Sequence, residues 1–199
     1  MNQPARDVAA FILAGGKSTR MGADKAFVIL DGRTLLTRML ELAHSITDEV
    51  RIVGDPAKYS HFAPVIQDIY RDCGPLGGIH AAVKASQAEL NLVLAVDVPF
   101  VSLAFLLYLI HRARSARQAI VTVVRTEEGW QPLCAIYRKQ FAEIAEKALR
   151  DGRYKIGPLF DEAQPLVITN DDLQSAGFSP WIFRNLNTPR DLTEAQQDR

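Results

Sequence analysis

Val8-Ala-Ala-Phe-Ile-Leu-Ala-Gly-Gly-Lys-Ser-Thr-Arg-Met-Gly-Ala-Asp-Lys25 decides how the rest of the chain is read. A short, continuous apolar run (Val8–Leu13) breaks at once into Gly15-Gly16. Apolar residues at every position, without alternation, suit a strand covered on both faces. A glycine-rich loop directly after such a strand lies at the carboxyl edge, where open α/β sheets bind ligands. Gly15, Gly16 and Gly22 let backbone N–H groups approach an anion, and Lys17, Arg20 and Lys25 add positive charge, with Asp24 as counterweight. Glycines and three cations together suit a polyphosphate.

Two familiar loops fail on spacing. A P-loop ending in Gly16-Lys17-Ser18 requires glycine at position 11, which is Phe11. The dinucleotide fingerprint fails because Gly15 and Gly16 are adjacent.

Working outward, strands are expected at Val50–Val53 (closed by a turn at Gly54-Asp-Pro56), Pro64–Gln67, Leu90–Val96, Ala119–Val124, Pro132–Tyr137 and Pro165–Thr169. Helices are expected over Thr34–Ile46, Gly77–Ser86, Ser102–Ala113 (capped by Ser102) and Phe141–Leu149, with a last one opening at Thr188-Pro189. Strands alternating with helices predict an α/β fold, a three-layer α/β/α arrangement with a Rossmann-like, mostly parallel sheet. The 199 residues suit one domain.

Composition removes several classes. Lys+Arg and Asp+Glu are both 23, so the net charge is zero, which argues against bulk binding of nucleic acid or an anionic membrane. No apolar run approaches the roughly 20 residues that span a bilayer. Cys73 and Cys134 form no CxxC and have no histidine at ligand spacing, so reduced, packed thiols and a cytoplasmic location are expected.

Three further features face the glycine loop. Asp97 follows the strand Leu90–Val96, and a carboxylate there suits Mg²⁺, which takes one or two carboxylates and completes its shell with phosphates. The rival role for Asp97, capping the next turn, is weakened by Ser102 as the helix cap. Asp68 precedes a second glycine loop, Asp72-Cys-Gly-Pro-Leu-Gly-Gly-Ile79, which is poor in cations and suits a base or ribose; the alternative is a tight turn whose glycines serve packing. Asn185 and Asn187, two apart, share a face of an extended segment and suit a polar heterocycle, or Asn187 opens an Asx turn.

Together these motifs, with Gly74-Pro-Leu-Gly-Gly-Ile79, Val96-Asp-Val-Pro-Phe100 and Asn185-Leu-Asn-Thr-Pro189, resemble the molybdenum cofactor guanylyltransferase family, within the nucleotidyltransferase superfamily. The resemblance covers residues from about 8 to 195. It implies a nucleotidyltransferase-type domain, with nucleotide binding in about 8–100 and acceptor binding in about 101–195. It implies transfer of GMP from GTP to the terminal phosphate of molybdopterin, with release of pyrophosphate. Leu13, Ala14, Gly15, Gly16, Asp68 and Pro75 fall on nucleotide-binding positions. Lys25 falls on a phosphate-contacting position, Asp97 on the Mg²⁺ ligand, and Asn185 and Asn187 on the molybdopterin side; by its charge in the same loop, Arg20 is expected to help Lys25 neutralise phosphate. Cofactor-delivery or acceptor proteins are further expected partners. The competing readings are a relative using another nucleotide or acceptor (CTP, or a sugar 1-phosphate) and a non-catalytic nucleotide-binding protein. One departure is local: many members carry Asn where this chain has Gly54.

Overall fold

The computed structural model describes residues 7–15, 24–186 and 191. Its organising element is β1 (Val8–Leu13), all six residues buried. It pairs in parallel with β4 (Val50–Val53) on one side and β6 (Leu90–Ala95) on the other. Successive side chains of a strand point to opposite faces. Val8, Ala10 and Ile12 accordingly enter one core layer, with α1 (Leu35–His44) and α4 (Leu103–Ser115). Ala9, Phe11 and Leu13 enter the other, with α3 (Pro75–Ala85) and α5 (Phe141–Arg150). The unalternating apolar run is thus the signature of a strand with a helical layer on each face.

Beyond β4 lies the edge strand β5 (Val65–Ile66), also parallel. Beyond β6 come β9 (Cys134–Tyr137), β7 (Val121–Thr126) and β10 (Leu166–Ile168). Only β9 of this row runs against its neighbours, so the expected mostly parallel sheet is found. The chain goes from β1 outward to β4 and β5, then returns to the far side of β1 to form β6. That reversal puts a ligand crevice beyond the carboxyl ends of β1 and β6.

The helix starts follow local chemistry. Thr34 caps α1 by accepting from the Thr37 N–H at 3.1 Å, and Ser102 caps α4 through the Phe105 N–H at 3.2 Å. α3 begins two residues before the expected Gly77, because Pro75 has its φ preset for the first helical turn. β7 is shifted two residues later than expected, and β9 starts two residues later but ends at Tyr137 as expected: a short hairpin strand, β8 (Gly129–Trp130), pairs with β7, and Gln131 N–H bonds Val124 C=O at 2.9 Å. Several short elements were not anticipated. The hairpin β2 (Ile29–Leu30) and β3 (Arg33–Thr34) turns at Asp31-Gly32, both at positive φ. α2 (Pro56–Tyr59) is capped by Asp55, where only a strand-ending turn was read. α6 (Asn170–Ser175) carries a Thr169/Asp172 capping box. The last helix expected at Thr188-Pro189 lies outside the described residues.

Candidate active site at the switch point

Strand register builds the crevice. Leu13 pairs with Ala95, and Val96 N–H donates to Leu13 C=O at 3.1 Å. Gly15 and Asp97 therefore leave two neighbouring strands at the same level. Leu13 and Ala14 are buried while Gly15 is exposed, so the backbone comes to the surface where the loop begins.

Lys25 reaches this edge from a single 3-10 turn, Lys25–Phe27. Its Nζ donates to Asp97 Oδ2 at 2.9 Å, joining residues 72 apart in sequence, and each side chain keeps about a fifth of its surface exposed. Asp24 caps the turn by accepting from the Ala26 N–H at 3.2 Å. The other Asp24 oxygen accepts from Lys58 Nζ at 2.8 Å and from the Tyr59 hydroxyl at 2.8 Å. Burial opposes ionisation of Asp24, but these donors outweigh it and hold its carboxyl below the usual range. The Tyr59 hydroxyl also lies 3.0 Å from Ala14 C=O. The phenol is raised above its ordinary value by burial first and then by the Asp24 charge, so it stays a proton donor.

The other wall is α3. Gly77 and Gly78 are buried inside this helix. A Cβ on Gly77 would come within 2.7 Å of Tyr70 C=O, and one on Gly78 within 3.3 Å of the Leu13 side chain. Gly78 thus lets α3 pack on Leu13 of β1 and Gly77 lets it pass the Tyr70 carbonyl, so packing requires both glycines, as one of the two readings of this loop expects. Pro75, exposed, opens the helix at the crevice. Asp68 Oδ2 lies 3.5 Å from the Gly77 Cβ position, and burial pushes its carboxyl up. A half-buried carboxylate in that state gains from a ligand that donates hydrogen bonds to it.

The carboxy-terminal segment closes the third side. Phe183 and Leu186 are buried, with Phe183 edge-on to Phe105 of α4 at 5.3 Å. These anchors let Leu186 N–H donate to Asp97 C=O at 3.0 Å, which brings the exposed Asn185 next to Asp97 along the chain path.

Of the expected site residues, the fold assembles Leu13, Ala14, Gly15, Lys25, Asp68, Pro75, Asp97 and Asn185 around one edge. Gly16, Lys17, Arg20, Gly22 and Asn187 lie outside the described residues. Tyr59 and Lys58 went unnoticed in the sequence, because nothing in their spacing ties α2 to the turn before β2. Among the described residues no three His, Cys, Asp or Glu side chains converge as a metal cage. A cation at Asp97 would rely on phosphate and water for its other ligands, as Mg²⁺ commonly does. Asp97, the one carboxylate at the strand end and partly exposed, fits that pattern. Cys73 and Cys134 are buried and not bonded to each other, as expected. No helix among the described residues is long and apolar enough to cross a membrane.

The model of the MobA-like NTP transferase domain matches residues 10–164. A protein from Desulfosudis oleivorans named molybdenum cofactor guanylyltransferase is 32% identical, over 95% of this chain and 94% of its own length. A protein from Halalkalibacterium halodurans, named probable molybdenum cofactor guanylyltransferase, is also 32% identical, over 92% and 94%. The crystal structure of molybdopterin-guanine dinucleotide biosynthesis protein A from Archaeoglobus fulgidus superposes with a TM-score of 0.82 at 26% identity, over 96% of this chain and 97% of that one. A 4-diphosphocytidyl-2C-methyl-D-erythritol synthase from Anaerococcus prevotii shares the fold at 17% identity, with a TM-score of 0.67 and 96% of each chain covered.

Proposed function

Because the chain belongs to the MobA-like NTP transferase family, we propose that it transfers GMP from GTP to the terminal phosphate of molybdopterin. A phosphate oxygen of the acceptor forms a bond to the α-phosphorus of GTP. The bond from that phosphorus to the bridging oxygen breaks, and pyrophosphate leaves with the electron pair. The observation that carries this reading is the Lys25–Asp97 pair at the crevice between β1 and β6.

Such a transfer asks the protein mainly for positioning and charge neutralisation. Lys25 sets a cation where negative charge grows on the phosphates, and Arg20 is assigned the same task from the loop. Leu13 to Gly16 are assigned to the nucleotide; the Ala14 N–H is taken by Val53 C=O at 3.0 Å, so it is from the exposed Gly15 onward that backbone meets the ligand. Asp68 accepts hydrogen bonds from its sugar or base, and Pro75 borders it. Asn185 and Asn187 are assigned to the pterin side. The acceptor phosphate is already ionised near neutral pH, so no general base is required. Asp97 is the residue to hold Mg²⁺, which supplies charge neutralisation on phosphate oxygens when bound. In this reading residues of about 8–100 hold the nucleotide and those of about 101–195 hold the acceptor. The unbridged cysteines suit the reducing cytoplasm. Proteins that deliver molybdopterin or accept the product belong to the same proposal.

Thermal shift with GTP, CTP, ATP and UTP in the presence of Mg²⁺ tests the nucleotide. GTP is expected to raise the melting temperature most. A larger shift with CTP or UTP would replace the guanylyl reading by a cytidylyl or sugar-nucleotide one.

A further inference from the structure

We infer that Tyr59 is a positioning residue for Lys25 and that Gly54 is the residue that makes room for it. The inference rests on the proposed function only for its kinetic arm.

The argument begins at the end of β4. Gly54 N–H bonds Ile66 C=O at 3.0 Å, which fixes the backbone there. A Cβ built on Gly54 would lie 2.8 Å from Tyr59 Cε2 and 3.0 Å from Cδ2. Tyr59 is 2% exposed and belongs to the core layer under α1, so its ring can yield to such a Cβ only by leaving its present position. Position 54 thus excludes any side chain as long as the ring lies over it.

The ring's location delivers its hydroxyl to two acceptors, Ala14 C=O at 3.0 Å and Asp24 Oδ2 at 2.8 Å. A phenol has one proton, and the charged, nearer carboxylate is the stronger acceptor. One atom therefore stands between the loop leaving β1 and the carboxylate that caps the Lys25 turn. Lys58, the preceding residue, grips the same Asp24 oxygen at 2.8 Å from the solvent side. α2 brings both groups to Asp24, and Asp24 fixes the backbone from which Lys25 reaches Asp97. Phe27, two residues after Lys25, packs on the Tyr59 ring at 5.9 Å between centroids, a second link between α2 and this turn.

Tyr59→Phe keeps the ring and removes the hydroxyl. The full-length variant is expected to melt within a few degrees of the wild type. With Lys25 less firmly held against Asp97, its acylation by an N-hydroxysuccinimide ester should rise several-fold, read by mass spectrometry against Lys139 and Lys147 as internal controls. In the turnover assay kcat should fall about tenfold with KM for GTP nearly constant, and Tyr59→Phe should add nothing in a Lys25→Ala background. Gly54→Ala should raise Lys25 labelling in the same way by displacing the ring. If Tyr59→Phe does not fold, Asp24→Asn, which leaves the ring untouched, reads the same path. Unchanged Lys25 labelling, or an equal kinetic loss with and without Lys25, would overturn the inference. Changed labelling in a protein that does not turn over GTP would leave this inference standing and remove the guanylyl reading instead.

Discussion

Strand β6 has a carboxylate at each end, and the two meet opposite fates. Glu89, just before the strand, pairs with Arg138, whose side chain is 8% exposed and also donates to Ala119 C=O at 3.0 Å and Ala113 C=O at 2.9 Å. Asp97, just after the strand, pairs with Lys25 in a crevice open to solvent. At the amino edge a guanidinium fork is shared between two main-chain carbonyls and the Glu89 carboxylate, which suits a staple between α4 and the β7–β9 region. At the carboxyl edge the Lys25 ammonium faces the Asp97 carboxylate, each partly exposed, where in the proposed reaction an entering triphosphate and metal exchange partners. On the proposed function, the same ionic chemistry serves stability at one end of the sheet and the reaction at the other. Sheet topology decides which, because only the carboxyl edge contains the switch point.

The contrast predicts opposite phenotypes. Asp97→Ala should lower turnover by about 10²–10³-fold, since charge stabilisation of phosphate transfer is lost, while the urea midpoint stays near wild type. Steady-state pyrophosphate release alongside denaturation reads both. Lys25→Ala should cost about 10²-fold in kcat/KM in the same assay, again with little change in stability. Arg138→Ala should do the reverse. Losing two hydrogen bonds from a charged donor to main-chain carbonyls should cost about 2–3 kcal/mol of stability, with turnover within twofold. A large activity loss in Arg138→Ala at temperatures where it is folded would blur the division between the two edges.

The smallest effect belongs to Asp7, at the amino end of β1. Arg114 grips it with two bonds, Nε at 2.9 Å and a terminal nitrogen at 2.6 Å. That hydrogen bonding, partly opposed by burial, holds the Asp7 carboxyl below its ordinary value. A depressed carboxyl contributes stability above its unfolded value of about 3.9, and this is lost as pH falls through the lower folded value. Both groups are well exposed, so the contribution is below about 1 kcal/mol. Asp7→Asn should lower the urea midpoint slightly at pH 7, with the gap closing as pH falls through the lowered folded value and turnover unchanged.

Much of this was legible in the sequence, for reasons that differ by element. Val8–Leu13 and Leu90–Ala95 are central strands, and burial on both faces writes itself as uninterrupted apolar residues. Lys25 and Asp97 were readable as candidates because each follows a recognisable strand or loop, though only the strand order brings them to 2.9 Å. Asp31-Gly32 carried a hairpin signal that went unread, since β2 and β3 are two residues each and show no alternation. Asp55-Pro56 was read as a turn, yet aspartate before proline equally caps a helix, and tertiary contacts of Tyr59 settled it. The Tyr59–Asp24 link spans 35 residues and depends on the absent side chain at Gly54, which leaves no periodic trace. Gly77 and Gly78 resembled a ligand loop because glycines for packing and glycines for ligand approach look alike in sequence.

The most direct test of the account is pyrophosphate release from GTP by the purified protein with Mg²⁺ and molybdopterin, compared between the wild type and Asp97→Asn. The expected result is molybdopterin-dependent release, with GMP joined to the pterin phosphate, falling by at least about 10²-fold in the variant. Release that does not depend on molybdopterin, or a variant as fast as the wild type, would contradict a guanylyl transfer centred on the carboxyl end of β6.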